Sequence, residues 1–245
     1  MVIVVKVGGS ILGDGVDASI IDDILKIAST EKLILVHGGG KEVTDFAIKL
    51  GKKQRFIVSP GGSRSRFTDW ETVKIFTMIM TGVINKEIVS ALHKKGLVAI
   101  GLSGLDGGLI KADRKKKLII IDELKRKRVI EGGYTGKISE VNGGLLKILL
   151  DKGYLPVISP VAIGKECEYL NVDGDRAAAY VAGGVKAKSV IFLTDVNGVY
   201  IEDKLIEKMS LKEAESLRSK IGFGMEKKVL ASTEALSMGV KESMI

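Results

Sequence analysis

The residues of this chain that could do chemistry sit where apolar runs end. Residues 1–10 read Met-Val-Ile-Val-Val-Lys-Val-Gly-Gly-Ser, a β-branched run with one cation, Lys6, ahead of Gly8 and Gly9. An ammonium buried in such a strand must find a partner or lose its proton. The glycines let a ligand or another backbone come close at the strand end. A lone lysine there more often snorkels to water, so Lys6 gains weight only from its company. A second run, residues 32–36, ends in His37-Gly38-Gly39-Gly40 before a helical pattern. Three glycines between strand and helix expose backbone N–H groups at the helix start, which suits an anion; a tight turn needed for packing is the alternative. His37 reads as an oriented or core histidine rather than a base.

Further along, Arg64 and Arg66 stand beside Gly61-Gly62 and ahead of a helix, where a guanidinium suits a carboxylate, or is simply a surface arginine. Asn171-Val172-Asp173-Gly174-Asp175-Arg176 precedes another helix. Asp173 and Asp175 could each cap it or ligate a metal, and capping is the simpler reading for either alone. Residues 194–200, Thr-Asp-Val-Asn-Gly-Val-Tyr, read as a tight turn after a strand. Gly222-Phe223-Gly224-Met225 opens a last helix with Lys228 in its first turn, a cation that opposes the helix dipole unless an anion sits there too. No Walker A pattern occurs, and no strand-following Gly-x-Gly-x-x-Gly. Two histidines and one cysteine give no metal-binding cluster of those types.

Elements that alternate strand with helix must hold these groups. Strands are expected over residues 2–7, 32–36, 97–102, 155–159 and 189–194. Helices are expected around Ile20–Ala28, Val43–Leu50, Leu145–Leu150, Arg176–Val181, Leu211–Ser219 and Met225–Met238. Thr68-x-x-Glu71 reads as a capping box opening a long helix that runs to His93 and stops at Gly96. Residues 105–138 read as hairpins. The alternation predicts an α/β fold, a three-layer α/β/α sandwich on a mainly parallel sheet. A soft boundary near 182–184 divides an N-terminal lobe, 1–182, from a C-terminal lobe, 183–245.

With 245 residues and 45% hydrophobic content the chain can bury a large core. The single cysteine, Cys167, excludes an internal disulfide framework and fits a reducing, cytoplasmic setting. Residues 2–7 follow Met1 as a strand rather than a leader, and no apolar stretch reads as a membrane span. The net charge of +8 favours acidic partners. Aromatics are 5%, and no stacking residues interleave the basic runs, which argues against a nucleic-acid-binding protein.

Taken in order, Lys-x-Gly-Gly, His-Gly-Gly-Gly, Arg-Phe-Thr-Asp, Asn-Val-Asp-Gly-Asp, Thr-Asp-Val-Asn-Gly and Gly-Met-x-x-Lys resemble the amino acid kinase family, its N-acetylglutamate kinase branch. The resemblance spans nearly the whole chain. It implies the carbamate kinase-like fold and transfer of an ATP γ-phosphoryl group to a carboxylate, with Mg²⁺ on the phosphates and no metal site from the protein alone. By that resemblance Lys6 and Lys228 stabilise the transferring phosphoryl oxygens and Asp175 holds both. Gly39 and Gly40 offer backbone N–H groups, and Arg66 and Asn171 bind the substrate's amino-acid end. Gly8, Gly9, Asp195, Val196, Asn197, Gly198, Tyr200, Ile221 and Gly222 face the nucleotide. The chemistry agrees: a carboxylate nucleophile is ionised at neutral pH and needs no base. A catalytically dead sensor on the same fold would not need Lys6, Asp175 and Lys228 together.

Two segments are similar to the archaeal LysZ-type kinases of lysine biosynthesis, whose substrate amino group is carried on the C-terminal glutamate of a small acidic protein, LysW. They are Ser59-Pro60-Gly61-Gly62-Ser63-Arg64-Ser65-Arg66-Phe67-Thr68-Asp69 and the basic hairpin followed by Gly132-Gly133-Tyr134-Thr135-Gly136-Lys137-Ile138. The reading is therefore a kinase for LysW-bound 2-aminoadipate or LysW-bound glutamate, with N-acetylglutamate kinase as the alternative. Two basic runs, Arg114-Lys115-Lys116-Lys117 and Lys125-Arg126-Lys127-Arg128, are expected to dock the carrier. Arginine-sensitive relatives carry an extra N-terminal helix that builds a hexamer, so a homodimer without that feedback is expected. A final strand is expected to be missing after the last helix.

Overall fold

Side-chain alternation in the opening strand sets the layers. A computed structural model of the protein describes residues 1–9, 18–217, 220–222 and 224–245; Ser10, Ser219 and Phe223, named above, lie outside them. The chain runs β1 (Val2–Val7), α1 (Ala18–Ala28), β2 (Lys32–His37) and α2 (Gly40–Lys49). A hairpin of β3 (Arg55–Val58) and β4 (Arg64–Phe67) leads into α3 (Trp70–Lys94), which is π-helical over Met78–Ile84. Next come β5 (Ala99–Ser103), β6 (Ile110–Arg114), β7 (Lys117–Ile121), β8 (Lys127–Glu131), β9 (Gly136–Val141) and α4 (Gly143–Asp151). They are followed by β10 (Leu155–Ser159), β11 (Val161–Ile163), β12 (Tyr169–Asn171) and α5 (Gly174–Val185). The last elements are β13 (Ser189–Phe192), β14 (Val199–Ile201), β15 (Lys204–Ile206), α6 (Leu211–Leu217), α7 (Met225–Ser237) and β16 (Glu242–Met244).

The central sheet has the order β16-β13-β1-β2-β10-β5, and every pairing in it is parallel. Val4, Ile34, Val36, Ile158, Val190 and Phe192 face α4, α5 and α7, while Val5, Val7, Leu33, Leu35 and Val157 face α1, α2 and α3. This is the three-layer α/β/α sandwich. Because side chains alternate, Lys6 shares its face with Val4 and points towards α5. The strand order reverses between β1 and β13, where Leu193 N–H donates to the Lys6 carbonyl. Ligands of open parallel sheets bind beyond the strand ends at such a reversal.

Two four-stranded sheets rise above that edge, β12-β11-β6-β9 and β4-β3-β7-β8. The β7–β8 hairpin joins the latter through Val58 and Ile121. Its return is pinned by glycines. A side chain on Gly132 would lie 1.4 Å from the Lys115 carbonyl oxygen, and one on Gly133, at φ +60°, would lie 2.3 Å from that of Thr68. Gly132→Ala is expected to cost about 2–3 kcal/mol, because the opposing atom is backbone and cannot rotate away. A urea melt measures it.

Several expectations change. The cap of α3 is Asp69, whose carboxylate accepts from Thr72 N–H, while Thr68 is buried with its hydroxyl donating to the Arg66 carbonyl. One strand does follow the last helix, β16, parallel to β13. The soft boundary at 182–184 falls inside α5. There Gly183 and Gly184 admit Met238 and Val141 at contact distance, so these glycines serve packing rather than a linker. By length and composition α3 could cross a membrane, which corrects the reading that no stretch could. Here Ile75, Phe76, Ile79, Met80, Ile84, Ile88 and Leu92 of α3 are buried in the core against the sheet.

Candidate functional site

Lys6 and Asp175 are both 7% exposed, and their ion pair measures 2.8 Å between Nζ and Oδ1. Lys228 Nζ, from the first turn of α7, lies 3.4 Å from Asp175 Oδ2. One carboxylate thus stands between two ammonium groups that come from a strand and a helix far apart in sequence. Asp173, not Asp175, caps α5, accepting from the N–H groups of Asp175 and Arg176. That division of labour leaves Asp175 free to hold the cations. Burial, and then repulsion from Lys6, hold the Lys228 ammonium below its ordinary pKa, and Asp175 partly offsets both.

The two helices carrying Asp175 and Lys228 are clamped. Arg176 Nε donates to Glu234 Oε2 at 2.8 Å, and Nη2 donates to Oε1, a fork joining α5 to α7. Glu234→Gln is expected to remove about 1–2 kcal/mol of stability and to lower turnover severalfold, since a charged two-bond contact becomes a neutral one. Parallel melts and rate measurements check this.

The glycine turns after β1 and β2 interlock. Side chains built on Gly9 and Gly38 would come within 3.0 Å of Gly39 N and Gly9 N respectively. Gly39 takes φ +149° at the start of α2, and no side chain caps that helix. Its first N–H groups are therefore left for an anion. His37 is fully buried, and burial lowers its pKa to about 4, so the ring is neutral near neutral pH.

Two cavities flank the lysine–aspartate pair. One of about 570 Å³ is lined by Lys6, Gly39, Gly40, Arg66, Asn171 and Asp175, with Lys115 and the inner hairpin residues Leu118 and Ile120 as a far wall. Arg66 Nη2 donates to the Gly40 carbonyl at 2.7 Å and to Thr44 Oγ1 at 3.0 Å, and Nη1 donates to Gln54. Asn171 Nδ2 donates to Thr68 Oγ1 at 3.1 Å. The other cavity, about 440 Å³, is lined by Gly8, Asp195, Val196, Gly198, Tyr200, Gly222 and Lys228.

Some expected site residues lie elsewhere. Ile221 is buried in a small cluster with Val199, Ala214 and Val229, so it supports the second cavity from below rather than lining it. Asn197 is not among that cavity's lining, whereas Leu193, Thr194, Gly224 and Met225 are. Arg114 turns inward, with Nε donating to the Gly133 carbonyl at 2.6 Å and its guanidinium 4.0 Å from the Tyr134 ring centroid. Lys115 faces the first cavity. Lys116, Lys117, Lys125, Arg126, Lys127 and Arg128 are exposed. Among the described residues no group of three or more acidic, histidine or cysteine side chains could hold a metal.

The pattern of the amino acid kinase family matches residues 1–245. The chain belongs to that family. A protein of Nitrosopumilus maritimus named putative [LysW]-aminoadipate/[LysW]-glutamate kinase is 58% identical over 243 residues, 99% of this chain and 91% of that one. A [LysW]-aminoadipate/[LysW]-glutamate kinase of Saccharolobus solfataricus is 44% identical over 99% of this chain and 91% of its own length. Among solved structures, smu.665 of Streptococcus mutans UA159 superposes with a TM-score of 0.80 at 21% identity, covering 98% of this chain and 91% of that one. Carbamate kinase from Giardia lamblia bound to AMP-PNP gives 0.68 at 17% identity, covering 99% and 92%. These two share the fold. As a member of this kinase family the chain is a phosphotransferase.

Proposed function

We propose that this chain transfers the γ-phosphoryl group of ATP to the side-chain carboxylate of 2-aminoadipate, and of glutamate, carried by its amino group on a small acidic protein of the LysW kind. The observation that carries the transfer is Asp175 between Lys6 and Lys228, with one cavity on the Lys6 side and the other on the Lys228 side. Nucleotide takes the cavity beside Gly8, Asp195–Tyr200 and Gly222. The acceptor takes the cavity beside Arg66 and Asn171. Two anions are then brought end to end, and catalysis is positioning plus neutralisation of developing charge.

Lys6 and Lys228 approach the phosphoryl oxygens from opposite sides, and Asp175 keeps both from swinging away. The Gly39 and Gly40 N–H groups add neutral donors. A magnesium ion would be held chiefly by the nucleotide's phosphates, because Asp175 is already shared by two lysines and no cluster of three or more metal-binding side chains occurs among the described residues. Such an ion screens the phosphate charges. The similarity to LysW-named kinases supports the carrier-bound acceptor.

A hydroxamate assay for acyl phosphate tests the reading, with N-acetylglutamate, LysW-aminoadipate and LysW-glutamate run in parallel. Turnover of the carrier-bound acceptors is expected. Turnover of N-acetylglutamate alone would overturn it.

A further inference from the structure

His37 is fully buried, and the phosphoryl chemistry above leaves it without a role. Its position in β2 aims it away from Lys6, at the layer that contains α3. Asn85 stands there, directly after the π-helical stretch Met78–Ile84, and is also buried. Asn85 Nδ2 donates to the Val157 carbonyl at 2.9 Å and reaches His37 Nε2 at 3.2 Å, while Asn85 Oδ1 accepts from Lys86 Nζ at 3.1 Å. An amide nitrogen can only donate, so Nε2 is the acceptor and Nδ1 carries the proton. Nδ1–H then donates to the Gly38 carbonyl at 2.8 Å.

A trans peptide is planar, with its carbonyl and N–H pointing in opposite directions. Holding the Gly38 carbonyl on the His37 side therefore turns the Gly39 N–H the other way, towards Gly9 and the cavity. The π-helical stretch supplies the counter-pressure. A side chain on Gly39 would meet Ile84 Cδ1 at 2.1 Å and Met80 Sδ at 3.3 Å. Space for Asn85 is kept by Gly101, where any side chain would meet Asn85 Oδ1 at 1.9 Å. π-helical turns recur at functional sites, and here one delivers Ile84, Met80 and Asn85 together beneath the glycine turn.

We propose that His37 is a positioning residue. Its Nδ1–H fixes the Gly38–Gly39 peptide so that the Gly39 N–H faces the transferring phosphoryl group, and Asn85 sets the ring tautomer that makes this possible. The proposal rests on the kinase reading of the glycine turn, so its test includes readouts that need no acceptor.

Nitrogen-15 NMR of the unmodified protein reads the tautomer directly. Nδ1-protonated His37, unchanged between pH 5.5 and 8 (about that range, given its burial), is expected, and an Nε2-protonated ring overturns the proposal. Calorimetry with ADP plus aluminium fluoride, against ADP alone, then reads the cradle. His37→Phe keeps the volume without the donor, and should weaken the fluoride complex about a hundredfold while leaving ADP binding unchanged. His37→Asn, which places an amide donor near the Nδ1 position, should restore most of that loss. Asn85→Leu removes the donor to Nε2 and frees the tautomer, so it should weaken the fluoride complex in the same direction as His37→Phe but by less. With the acceptor that is turned over, kcat should fall and both KM values hold. A folded His37→Phe protein with undiminished fluoride binding overturns the proposal, as does His37→Asn no better than His37→Phe. Should His37→Phe fail to fold, Asn85→Leu and the tautomer decide. If none of the three acceptors is turned over, the function reading fails while the peptide's orientation is still decided.

Discussion

Asp175→Asn should lower kcat about a thousandfold in a protein that still folds, and should move the alkaline limb of the rate profile to lower pH. The first effect follows from geometry. Asp175 holds Lys6 at 2.8 Å and Lys228 at 3.4 Å, and an amide can offer an acceptor to one of them while turning its N–H₂ towards the other. The second follows from charge. In the proposed transfer Lys228 acts on the phosphoryl oxygens as an ammonium. Burial and Lys6 already lower its pKa, and the Asp175 carboxylate is among the groups that raise it. With that carboxylate gone the pKa falls further, so the charged form is lost at a lower pH than in the parent protein. A full kcat–pH series for both proteins measures the displacement. An unmoved limb, with kcat within about tenfold of the parent, would mean that Asp175 does not organise the two lysines.

The same depressed pKa has a stability consequence of opposite sense to an ordinary surface ion pair. Between the folded value of Lys228 and its unfolded value near 10.5 the unfolded chain binds more protons, so stability rises with pH across that window. His37 acts likewise at the acid end. Its pKa falls from 6.5 to about 4 on burial, so stability is lost as pH drops through that interval. The fold therefore charges a stability cost for each of these two buried bases, one held at the chemistry and one behind it.

What could be read from residues alone follows physical scale. A run such as Val2–Val7 with no polar face announces a strand covered on both sides, and the parallel sheet follows from it. The pairing of Lys6 with Asp175 is 169 residues distant along the chain and leaves no local trace; only the family resemblance implies it. The capping box at Thr68 was displaced because Asp69, one residue on, adopts the extended backbone a cap needs while Thr68 is drawn into the core. The π-helical stretch was invisible, since its apolar residues repeat much as in an α-helix. Asn85 gives no signal either, because it is followed directly by Lys86 and Glu87 and only the structure shows it buried. The three-residue β16 is too short and too polar to show a period. A run of basic residues does not say which way each points, which is why Arg114 and Lys115 turn inward while their neighbours do not.

The outward residues of the basic hairpin make the last prediction. In β7 and β8, Ile119 opposes Val129, and these side chains are 55% and 64% exposed, with Leu124 at the tip 69% exposed. Lys117, Lys125 and Lys127 surround them, whereas Arg126 and Arg128 already share Asp122 at 3.1 and 2.8 Å. An apolar centre with a cationic rim is the anatomy of a docking face for an acidic protein: the centre supplies affinity, and the rim steers the encounter. Reversing Lys117, Lys125 and Lys127 to Glu changes the local charge by six units. It should lower kcat/KM for a LysW-bound acceptor about a hundredfold at low salt, chiefly through association rate. Raising salt to about 0.5 M should shrink the difference, because the Debye length then falls well below the width of the hairpin. Val129→Ser should act through the other route, with a smaller loss that salt does not relieve. ATP binding should be unchanged in all of them, since the second cavity lies beside β14 and α7 rather than the hairpin. Reversal of Lys94, at the end of α3, and of Lys147 and Lys152, at α4, away from the hairpin, changes the charge by the same six units and serves as the control for net charge. If that control slows the carrier reaction as much as the hairpin variant does, the protein's overall field, and not this face, guides the carrier.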